Sequence, residues 1–260
     1  MFRNYAKDFR FPKMAIILDG KKLSEKILDD LREKIKHSGK NLKFAAVLVG
    51  DNDQSKIFLR QKEKACQKIG ISFELYQFPE SIIQENLEDE IKKISQLKNN
   101  GIIIQLPLPE HINTEKILSL IPAEKDVDAL SSNKTAVLSP VLAGILALLK
   151  EYAISFDGKK VAVVGRGRLV GQPIVEWLKK QRIEVTEDIK MADIVISGVG
   201  KSGFVIKGDI IKKGAVVIDA AGDIDFKSVE PKAGYITPIP GGVGPMTVAM
   251  LLKNIIILNA

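Results

Sequence analysis

The stretch Val161-Ala-Val-Val-Gly-Arg-Gly-Arg-Leu-Val-Gly-Gln-Pro173 joins an apolar run to a glycine-rich turn. Its glycines, Gly165, Gly167 and Gly171, form a G-x-G-x-x-x-G pattern between a predicted strand and a predicted helix. Glycines at such positions allow a tight turn, in which backbone amides and a helix N-terminus face a pyrophosphate. The glycine spacing is weak evidence by itself, but its strand–turn–helix context favours a Rossmann-like dinucleotide-binding fold.

Predicted strands and helices alternate on both sides of this turn. Continuous apolar runs indicate buried parallel strands, and apolar residues repeated every three or four positions indicate helices. The predicted strands lie at residues 44–50, 73–78, 101–108, 161–165, 183–186, 194–200, 215–221 and 235–239. The predicted helices lie at residues 21–36, 54–69, 113–120, 140–152, 170–181 and 246–258, and Ser81 with Gln84 forms a possible capping box for one more. This alternation predicts an α/β fold with parallel sheets, interrupted by an aperiodic linker at residues 122–139.

Composition excludes several classes of protein. The chain has 260 residues and a single cysteine, Cys66, which rules out an intrachain disulfide and suits a reducing cytosol. With His37 and His111 as the only histidines, a His/Cys metal site is not expected. No apolar run reaches the roughly 18–20 residues of a membrane span. The net charge of +7 comes without a basic-aromatic motif, so neither membrane nor nucleic-acid binding is predicted.

One lysine stands out in the predicted helix at residues 54–69. On a helical wheel, Lys62 is the one charge on the apolar side, with Phe58, Ala65, Cys66 and Ile69. A lysine held against apolar surface loses hydration, which lowers its pKa towards a range useful for proton transfer. The alternative is that its stem covers the core while its ammonium group reaches water, and the pattern alone favours this alternative.

Two further polar residues occupy positions where parallel sheets bind ligands. Gln105 ends the predicted strand at residues 101–108, at the carboxyl edge of the sheet. Asp128 lies in the aperiodic linker, and a carboxylate can accept two N–H donors side by side. Taken alone, each residue is also explained as a turn or capping residue.

The stretch Tyr235-Ile-Thr-Pro-Ile-Pro-Gly-Gly-Val-Gly-Pro-Met-Thr247 predicts a stiff, open loop with exposed amides, suited to a flat ligand or an anion. Its TPIPGGVGPMT resembles the C-terminal signature of the bifunctional methylenetetrahydrofolate dehydrogenase/cyclohydrolase family. Other strings are similar to further motifs of that family. With the family's motif in parentheses where it differs, they are Ser55 to Lys62 (S-x-x-Y-x-x-x-K), QLPLP from Gln105, KDVD ending at Asp128, LSPVLAG from Leu138 (P-C-T-P-x-G), and VVGRGRLVGQP (V-V-G-R-S-x-x-V-G-x-P).

The resemblance covers the chain from about Met14 and implies two α/β domains flanking a cleft. Residues 14–130 would bind folate, residues 131–245 would form the Rossmann-like NAD(P)-binding domain, and the helix at 246–260 would pack back on the first domain. Residues 1–13 are expected to be a disordered extension. The implied protein is a cytoplasmic homodimer that oxidises 5,10-methylenetetrahydrofolate and hydrolyses the methenyl product to 10-formyltetrahydrofolate, supplying one-carbon units.

The resemblance also implies the roles of individual residues. The implied catalytic residues are Lys62, Gln105, which orients the lysine, and Asp128, which binds the aminopyrimidine edge of folate. The implied folate-binding residues are Phe58, Leu106, Pro240, Gly241, Gly242, Gly244 and Pro245. The implied cofactor-binding residues are Gly165, Arg166, Gly167, Arg168, Gly171 and Gly222.

This sequence departs from the family pattern at several of these positions. Phe58 replaces a tyrosine, Ala129 replaces a glycine, Gly167 replaces a serine, and Asp219-Ala-Ala-Gly222 replaces D-V-G-I. The connection at residues 187–192 is also too short for the family's usual helix. We therefore expect the adenosine pocket to be altered.

The cofactor prediction is NADP, with NAD as the alternative. Arginines in the glycine-rich turn, Arg166 and Arg168, favour a 2′-phosphate. Glu187 and Asp188 follow the next predicted strand, where a carboxylate favours a free ribose hydroxyl.

Two alternative functions stay open at the level of sequence. A shikimate-type dehydrogenase would also use a lysine and an aspartate, although it does not call for TPIPGGVGPMT. A folate-binding protein or cyclohydrolase that has lost dehydrogenase activity would explain the altered adenosine pocket.

Overall fold

The computed structural model describes residues 14–260, so the prediction for residues 1–13 lies outside the described residues. The strands are β1 (Ile16–Ile17), β2 (Lys43–Val49), β3 (Ser72–Phe78), β4 (Gly101–Ile104), β5 (Val161–Val164), β6 (Val185–Thr186), β7 (Ile194–Ser197), β8 (Val216–Asp219) and β9 (Tyr235–Ile236). The helices are α1 (Gly20–Ser38), α2 (Asp53–Ile69), α3 (Gln84–Gln96), α4 (Thr114–Ser119), α5 (Pro140–Glu151), α6 (Gly171–Lys180), α7 (Phe226–Val229) and α8 (Val243–Leu258).

A three-stranded parallel sheet with the order β3-β2-β4 forms the centre of the first unit. Its middle strand β2 is buried from Phe44 to Val49, which explains why it reads as a continuous apolar run. The next two strands pair on opposite sides of β2, so the carboxyl end of the sheet opens into a crevice. The backbone N–H of Gln105 donates to the carbonyl of Val47 at 2.8 Å, which fixes Gln105 at this edge.

A six-stranded parallel sheet with the order β1-β9-β8-β7-β5-β6 forms the centre of the second unit. The chain leaves β5 to form β6 on one side and then returns to form β7 on the other. This reversal is the topological switch point of a Rossmann-like fold, and it places the turn after β5 at a ligand-binding edge.

The first strand belongs to this second sheet, which corrects the assignment of residues 14–130 to the first unit. Ile16 pairs with Tyr235, and Ile17 pairs with Ile236. A strand of two residues has no periodicity that could have revealed its partner, because the alternation of faces needs a longer run.

Helix α8 packs between the two sheets. It had been expected to pack on the first unit alone. Met246 and Met250 belong to the core of the six-stranded sheet, whereas Leu252 and Ile255 belong to a core of the three-stranded sheet. The helix begins at Val243, three residues earlier than predicted. Pro245 is tolerated in its first turn, because the N–H that proline lacks would have no partner within the helix there.

The predicted capping box at Ser81 is wrong. Helix α3 begins at Gln84 after Ile83, without a side-chain cap. The Gln84 amide instead donates to the Glu88 carboxylate at 2.7 Å and accepts from the backbone N–H of Asn113 at 2.8 Å. These contacts, one within α3 and one with the cap of α4, occupy the side chain of the glutamine that the capping box required. Among residues 14–260, no helix is long and apolar enough to cross a membrane.

Candidate active site

A cavity of about 250 Å³ lies between the carboxyl edges of the two sheets. The first unit contributes Lys62, Gln105 and Asp128 to its wall. The second unit contributes Leu169 and Val170 from the turn after β5, and Ala220 from the end of β8. The other lining residues are Phe58, Gln61, Ile104, Leu106, Leu130, Ser139, Pro140, Val141, Gly244, Thr247, Val248 and Leu251. The structure therefore brings the predicted catalytic residues of the first unit to face the glycine-rich turn of the second.

Lys62 and Gln105 form a direct hydrogen bond inside this cavity. The ammonium Nζ of Lys62 donates to Oε1 of Gln105 at 2.7 Å. The amide Nε2 of Gln105 donates to the carbonyl of Leu106 at 2.9 Å, which fixes the side-chain orientation and leaves Oε1 facing the lysine. Gln105 is only 8% exposed. A neutral partner orients the lysine without adding the negative charge that would hold its proton.

The environment of Lys62 lowers the pKa of its amine. Burial is the largest cause, and the carboxylate of Asp128 opposes it. On the same helix, burial raises the pKa of the Cys66 thiol to about 12, so this cysteine stays protonated and is no nucleophile at neutral pH. The site therefore contains one amine that releases its proton more readily than an ordinary lysine, as a proton-transfer group requires.

Asp128 is the second titratable group of the cavity. Burial, and to a smaller extent the nearby Asp126, raise the pKa of its carboxyl group to about 6, against the opposing effect of Lys62. Asp126 is buried and accepts a hydrogen bond from the backbone N–H of Ser131 at 2.9 Å. Asp126 thus holds the loop from which Asp128 enters the cavity.

Ala129 occupies a strained position directly after Asp128. Its φ of 52° lies in the left-handed region, where the family has glycine. A side chain there costs about 1–2 kcal/mol, while glycine would add about 0.4–1 kcal/mol of unfolded-state entropy. We therefore expect Ala129→Gly to leave the free energy of unfolding unchanged or to raise it by up to about 1.6 kcal/mol. Denaturant unfolding measures this, and a clear loss of stability would contradict the assigned backbone conformation.

Phe58 faces the cavity and not the core, which corrects its place in the predicted apolar stripe. It is 45% exposed, whereas the buried positions of α2 are Ser55, Leu59, Ala65, Cys66 and Ile69. Its ring is therefore free to stack on a flat ligand, but it lacks the hydroxyl of the tyrosine that the family has at this position.

The proline- and glycine-rich loop contributes less to the cavity wall than predicted. Gly244 and Thr247 line the cavity, but Pro240, Gly241, Gly242 and Pro245 do not. The carbonyl of Gly241 accepts from the backbone N–H of Lys21 at 2.7 Å, and a Cβ on Gly20 would lie 1.9 Å from the carbonyl oxygen of Gly242. The backbone of these two loop residues therefore packs on the start of α1, where Gly20 leaves room for it.

The turn after β5 has the shape of a phosphate cradle. Gly165 has a φ of 89°, and a Cβ on Gly171 would lie 2.0 Å from the carbonyl oxygen of Gly165. A Cβ on Gly167 would meet no atom within 4 Å, so the turn is open at its centre. Helix α6 begins directly after the turn, and the positive end of its dipole favours an anion there.

The predicted cofactor residues beyond these glycines differ in their availability. Arg166 is exposed, whereas the guanidinium of Arg168 pairs with the carboxylate of Glu115 in α4. The backbone N–H of Gly222 donates to Asp219 at 2.8 Å and so stabilises the turn after β8. The short connection after β6 is confirmed as a single 3₁₀ turn, Ile189–Met191, capped by Asp188.

Sequence reasoning missed several lining residues, including Gln61, Ser139, Thr247 and Ala220. For two of them the sequence carried a weak signal of a place in the site, because Gln61 directly precedes Lys62 and Thr247 ends the glycine-rich signature. No group of acidic, histidine or cysteine side chains within residues 14–260 has the arrangement of a metal site.

Comparison with known proteins gives matches over both halves of the chain. The model of the tetrahydrofolate dehydrogenase/cyclohydrolase catalytic domain matches residues 18–128, and that of the NAD(P)-binding domain matches residues 139–260. The chain is 43% identical to the bifunctional protein FolD of Nautilia profundicola, over 92% of this chain and 95% of that protein.

Solved structures agree with these matches. The bifunctional FolD of Campylobacter jejuni has a TM-score of 0.87 and 35% identity, covering 94% of this chain and 98% of that chain. The methylenetetrahydrofolate dehydrogenase–cyclohydrolase of Trypanosoma brucei, complexed with NADP and an inhibitor, has a TM-score of 0.88 and 30% identity, covering 94% and 97%. The predicted α/β fold class, with a Rossmann-like second half, is confirmed.

Proposed function

Because this chain belongs to the tetrahydrofolate dehydrogenase/cyclohydrolase family, we propose that it catalyses two successive reactions of one-carbon metabolism. The first oxidises 5,10-methylenetetrahydrofolate to the 5,10-methenyl form with NADP, and the second hydrolyses the methenyl form to 10-formyltetrahydrofolate. The observation that carries the proposal is the Lys62–Gln105 hydrogen bond in a cavity that also contains Asp128 and ends at the glycine-rich turn. The family match favours folate over a shikimate-type substrate.

The second unit fits a dinucleotide. Gly165 and Gly171 allow the tight turn, Gly167 leaves its centre open for a pyrophosphate, and the exposed Arg166 is proposed to meet a 2′-phosphate. When bound, NADP supplies the hydride acceptor for the folate methylene carbon. The protein's part in this step is to hold the two substrates on opposite walls of the cavity and to exclude water with apolar side chains such as Leu169 and Val170.

Lys62 is proposed to move the protons of the hydrolytic step. Water attacks the methenyl carbon, and the neutral amine of Lys62 accepts a proton from it. The resulting ammonium then donates this proton to N5 of the folate as the bond between N5 and the carbon breaks. The hydroxyl group on that carbon loses its proton to solvent as it becomes the formyl carbonyl. Burial favours the neutral amine by lowering the pKa, and Gln105 keeps the amine directed into the cavity.

Asp128 and Phe58 are proposed to bind the pterin. The Asp128 carboxylate can accept two N–H groups of the aminopyrimidine edge, and the ring of Phe58 can stack on the flat pterin. Leu106 and Gly244 complete the apolar wall around it.

The proposal is tested by assaying both reactions on the purified protein. We expect reduction of NADP with 5,10-methylenetetrahydrofolate, and formation of 10-formyltetrahydrofolate from the methenyl form without cofactor turnover. Hydrolysis without nicotinamide reduction would support the alternative of a cyclohydrolase that has lost dehydrogenase activity. Absence of both reactions would overturn the proposal.

Arg166 should determine the preference for NADP over NAD. Arg166→Gln removes a charged partner of the 2′-phosphate, so we expect kcat/KM for NADP to fall by roughly 10- to 150-fold, from a loss of about 1.5–3 kcal/mol. The same variant should change kcat/KM for NAD much less. Lys179→Gln, at the far end of α6, is the matched control. Equal losses with both cofactors would show that Arg166 does not read the 2′-phosphate.

We also propose that the protein is a cytoplasmic homodimer, with folate held by the first unit and the dinucleotide by the second. The edge strand β3 supports the dimer, because its outer side has no partner strand among residues 14–260 and it carries Leu75, which is 47% exposed. An exposed edge of seven residues is a template for pairing with a second chain.

A further inference from the structure

One ion pair connects the two units across the cleft. The guanidinium of Arg168, in the turn after β5, meets the carboxylate of Glu115, in α4 of the first unit. Within residues 14–260, every other ion pair joins positions 29–116 to one another or positions 160–212 to one another. The two units are also connected through apolar packing, much of it on α8, and through hydrogen bonds such as that from the backbone N–H of Lys21 to Gly241. Among the described residues, Arg168 and Glu115 thus make the one ion pair of this interface.

Glu115 is firmly attached to the first unit. It lies in the first turn of α4, whose cap Asn113 accepts from the backbone N–H of Lys116 at 3.0 Å. The ammonium of Lys116 pairs with Glu88 of α3 at 2.6 Å, and Gln84 of α3 accepts from the backbone N–H of Asn113. Helix α4 is therefore held on α3 at two points, and Glu115 moves with the first unit.

Arg168 is attached to the second wall of the cavity. The two residues that follow it, Leu169 and Val170, line the cavity. Val170 packs closely on Gly198, because a Cβ on Gly198 would lie only 2.2 Å from Cγ1 of Val170. Arg168 therefore moves together with this wall of the cavity. Its ion pair with Glu115 limits how far this wall can separate from the wall formed by the first unit.

The two reactions of the proposed function place different demands on this separation. Lys62, Gln105 and Asp128 all lie on the first wall, so the proton transfers of hydrolysis need that wall alone. Hydride transfer needs carbon atoms on opposite walls to approach within about 3–3.5 Å. We propose that the Arg168–Glu115 ion pair is a latch that positions the two walls for hydride transfer and is not needed for hydrolysis. This inference rests on the proposed function.

The latch is tested with Glu115→Gln, which removes the charge and leaves Arg168 in place. We expect kcat for the dehydrogenase reaction to fall by about two- to fivefold at low salt, the size of effect that an exposed ion pair supports. Cyclohydrolase activity should be unchanged. Because salt screens exposed charges, the difference from wild type should shrink as salt is added. Glu115→Asp, which keeps the charge, should recover most of the lost activity.

A second measurement does not depend on bound cofactor. Hydrogen exchange of the amides at residues 165–171 in the cofactor-free protein should be faster in Glu115→Gln than in wild type. The matched control is Glu90→Gln, which removes a carboxylate that pairs with Lys93 on the surface of α3 at 2.7 Å, away from the turn. It should change neither hydrogen exchange in the turn nor either activity.

Three results would overturn the latch. They are unchanged hydrogen exchange and unchanged dehydrogenase activity in Glu115→Gln, an equal loss of both reactions, or a faster dehydrogenase reaction with tighter NADP binding. The last would mean that Glu115 withholds Arg168 from the cofactor. If wild type does not reduce NADP, the proposed function fails, and exchange in the cofactor-free turn still decides whether the ion pair joins the two units.

Discussion

Replacing Lys62 with methionine is expected to lower the cyclohydrolase rate by about 10²–10⁴-fold, the usual contribution of general acid–base catalysis. Methionine keeps an apolar side chain of similar length at this position of α2 and removes the amine that hydrogen-bonds to Gln105. Nicotinamide reduction should decrease far less, because hydride transfer requires placement of two carbons and no proton shuttle. Assays of both reactions on the same preparation measure the separation.

The matched control is Lys64→Met, two residues further along the same helix on an exposed position. It removes an equal charge without touching the Lys62–Gln105 pair, so both reactions should proceed at wild-type rates. An equal loss of both reactions in Lys62→Met, with the fold intact, would mean that Lys62 only positions folate. The proton-transfer role would then belong to another group.

The lowered pKa of Lys62 also makes the cyclohydrolase reaction depend on pH. Burial lowers the pKa of Lys62, and only the neutral amine can accept a proton from water. Cyclohydrolase kcat should therefore rise as pH rises through this lowered pKa. The rise should be absent from the residual activity of Lys62→Met.

Replacing Asp128 with alanine is expected to weaken folate binding by roughly 10- to 150-fold, because a lost charged hydrogen bond costs about 1.5–3 kcal/mol. Both reactions should show a higher KM for folate, since both use the same bound pterin. Calorimetric titration with an unreactive folate analogue measures the affinity directly.

Glu124→Ala is the control for Asp128, because it removes an exposed carboxylate from the same loop. Its folate affinity should match wild type. The pKa of Asp128 is about 6, so wild-type folate affinity should fall as pH drops through this value and the carboxylate is protonated. Unchanged affinity in Asp128→Ala, or the same pH dependence with and without Asp128, would show that this carboxylate does not bind the pterin.

Parts of the site could be read from the sequence because each has a local signal. Gln105 follows an apolar strand, and a parallel strand presents its carboxyl end to the ligand edge. Lys62 interrupts an apolar stripe at helical spacing. Family motifs then identified both positions, and the structure places the two side chains in hydrogen-bond contact.

Other features depend on contacts between distant segments and had no local signal. Glu115 and Arg168 are 53 positions apart, and neither lies in a pattern that points to the other. The two-residue strand β1 pairs with β9, near the opposite end of the chain, so its sheet could not be assigned from its own residues. The loop glycines Gly241 and Gly242 were expected in the cavity wall but do not line it. A glycine in a sequence shows that a close approach is possible, but it does not show which atoms approach.

We propose that one cavity, with Lys62, Gln105 and Asp128 on one wall and the glycine-rich turn on the other, serves both reactions. The most direct measurement is the inhibition constant of one unreactive folate analogue for each reaction, determined with saturating oxidised NADP present in both assays. We expect equal constants in wild type and an increase by the same factor for both reactions in Asp128→Ala. Two different constants, or an Asp128→Ala effect confined to one reaction, would contradict it.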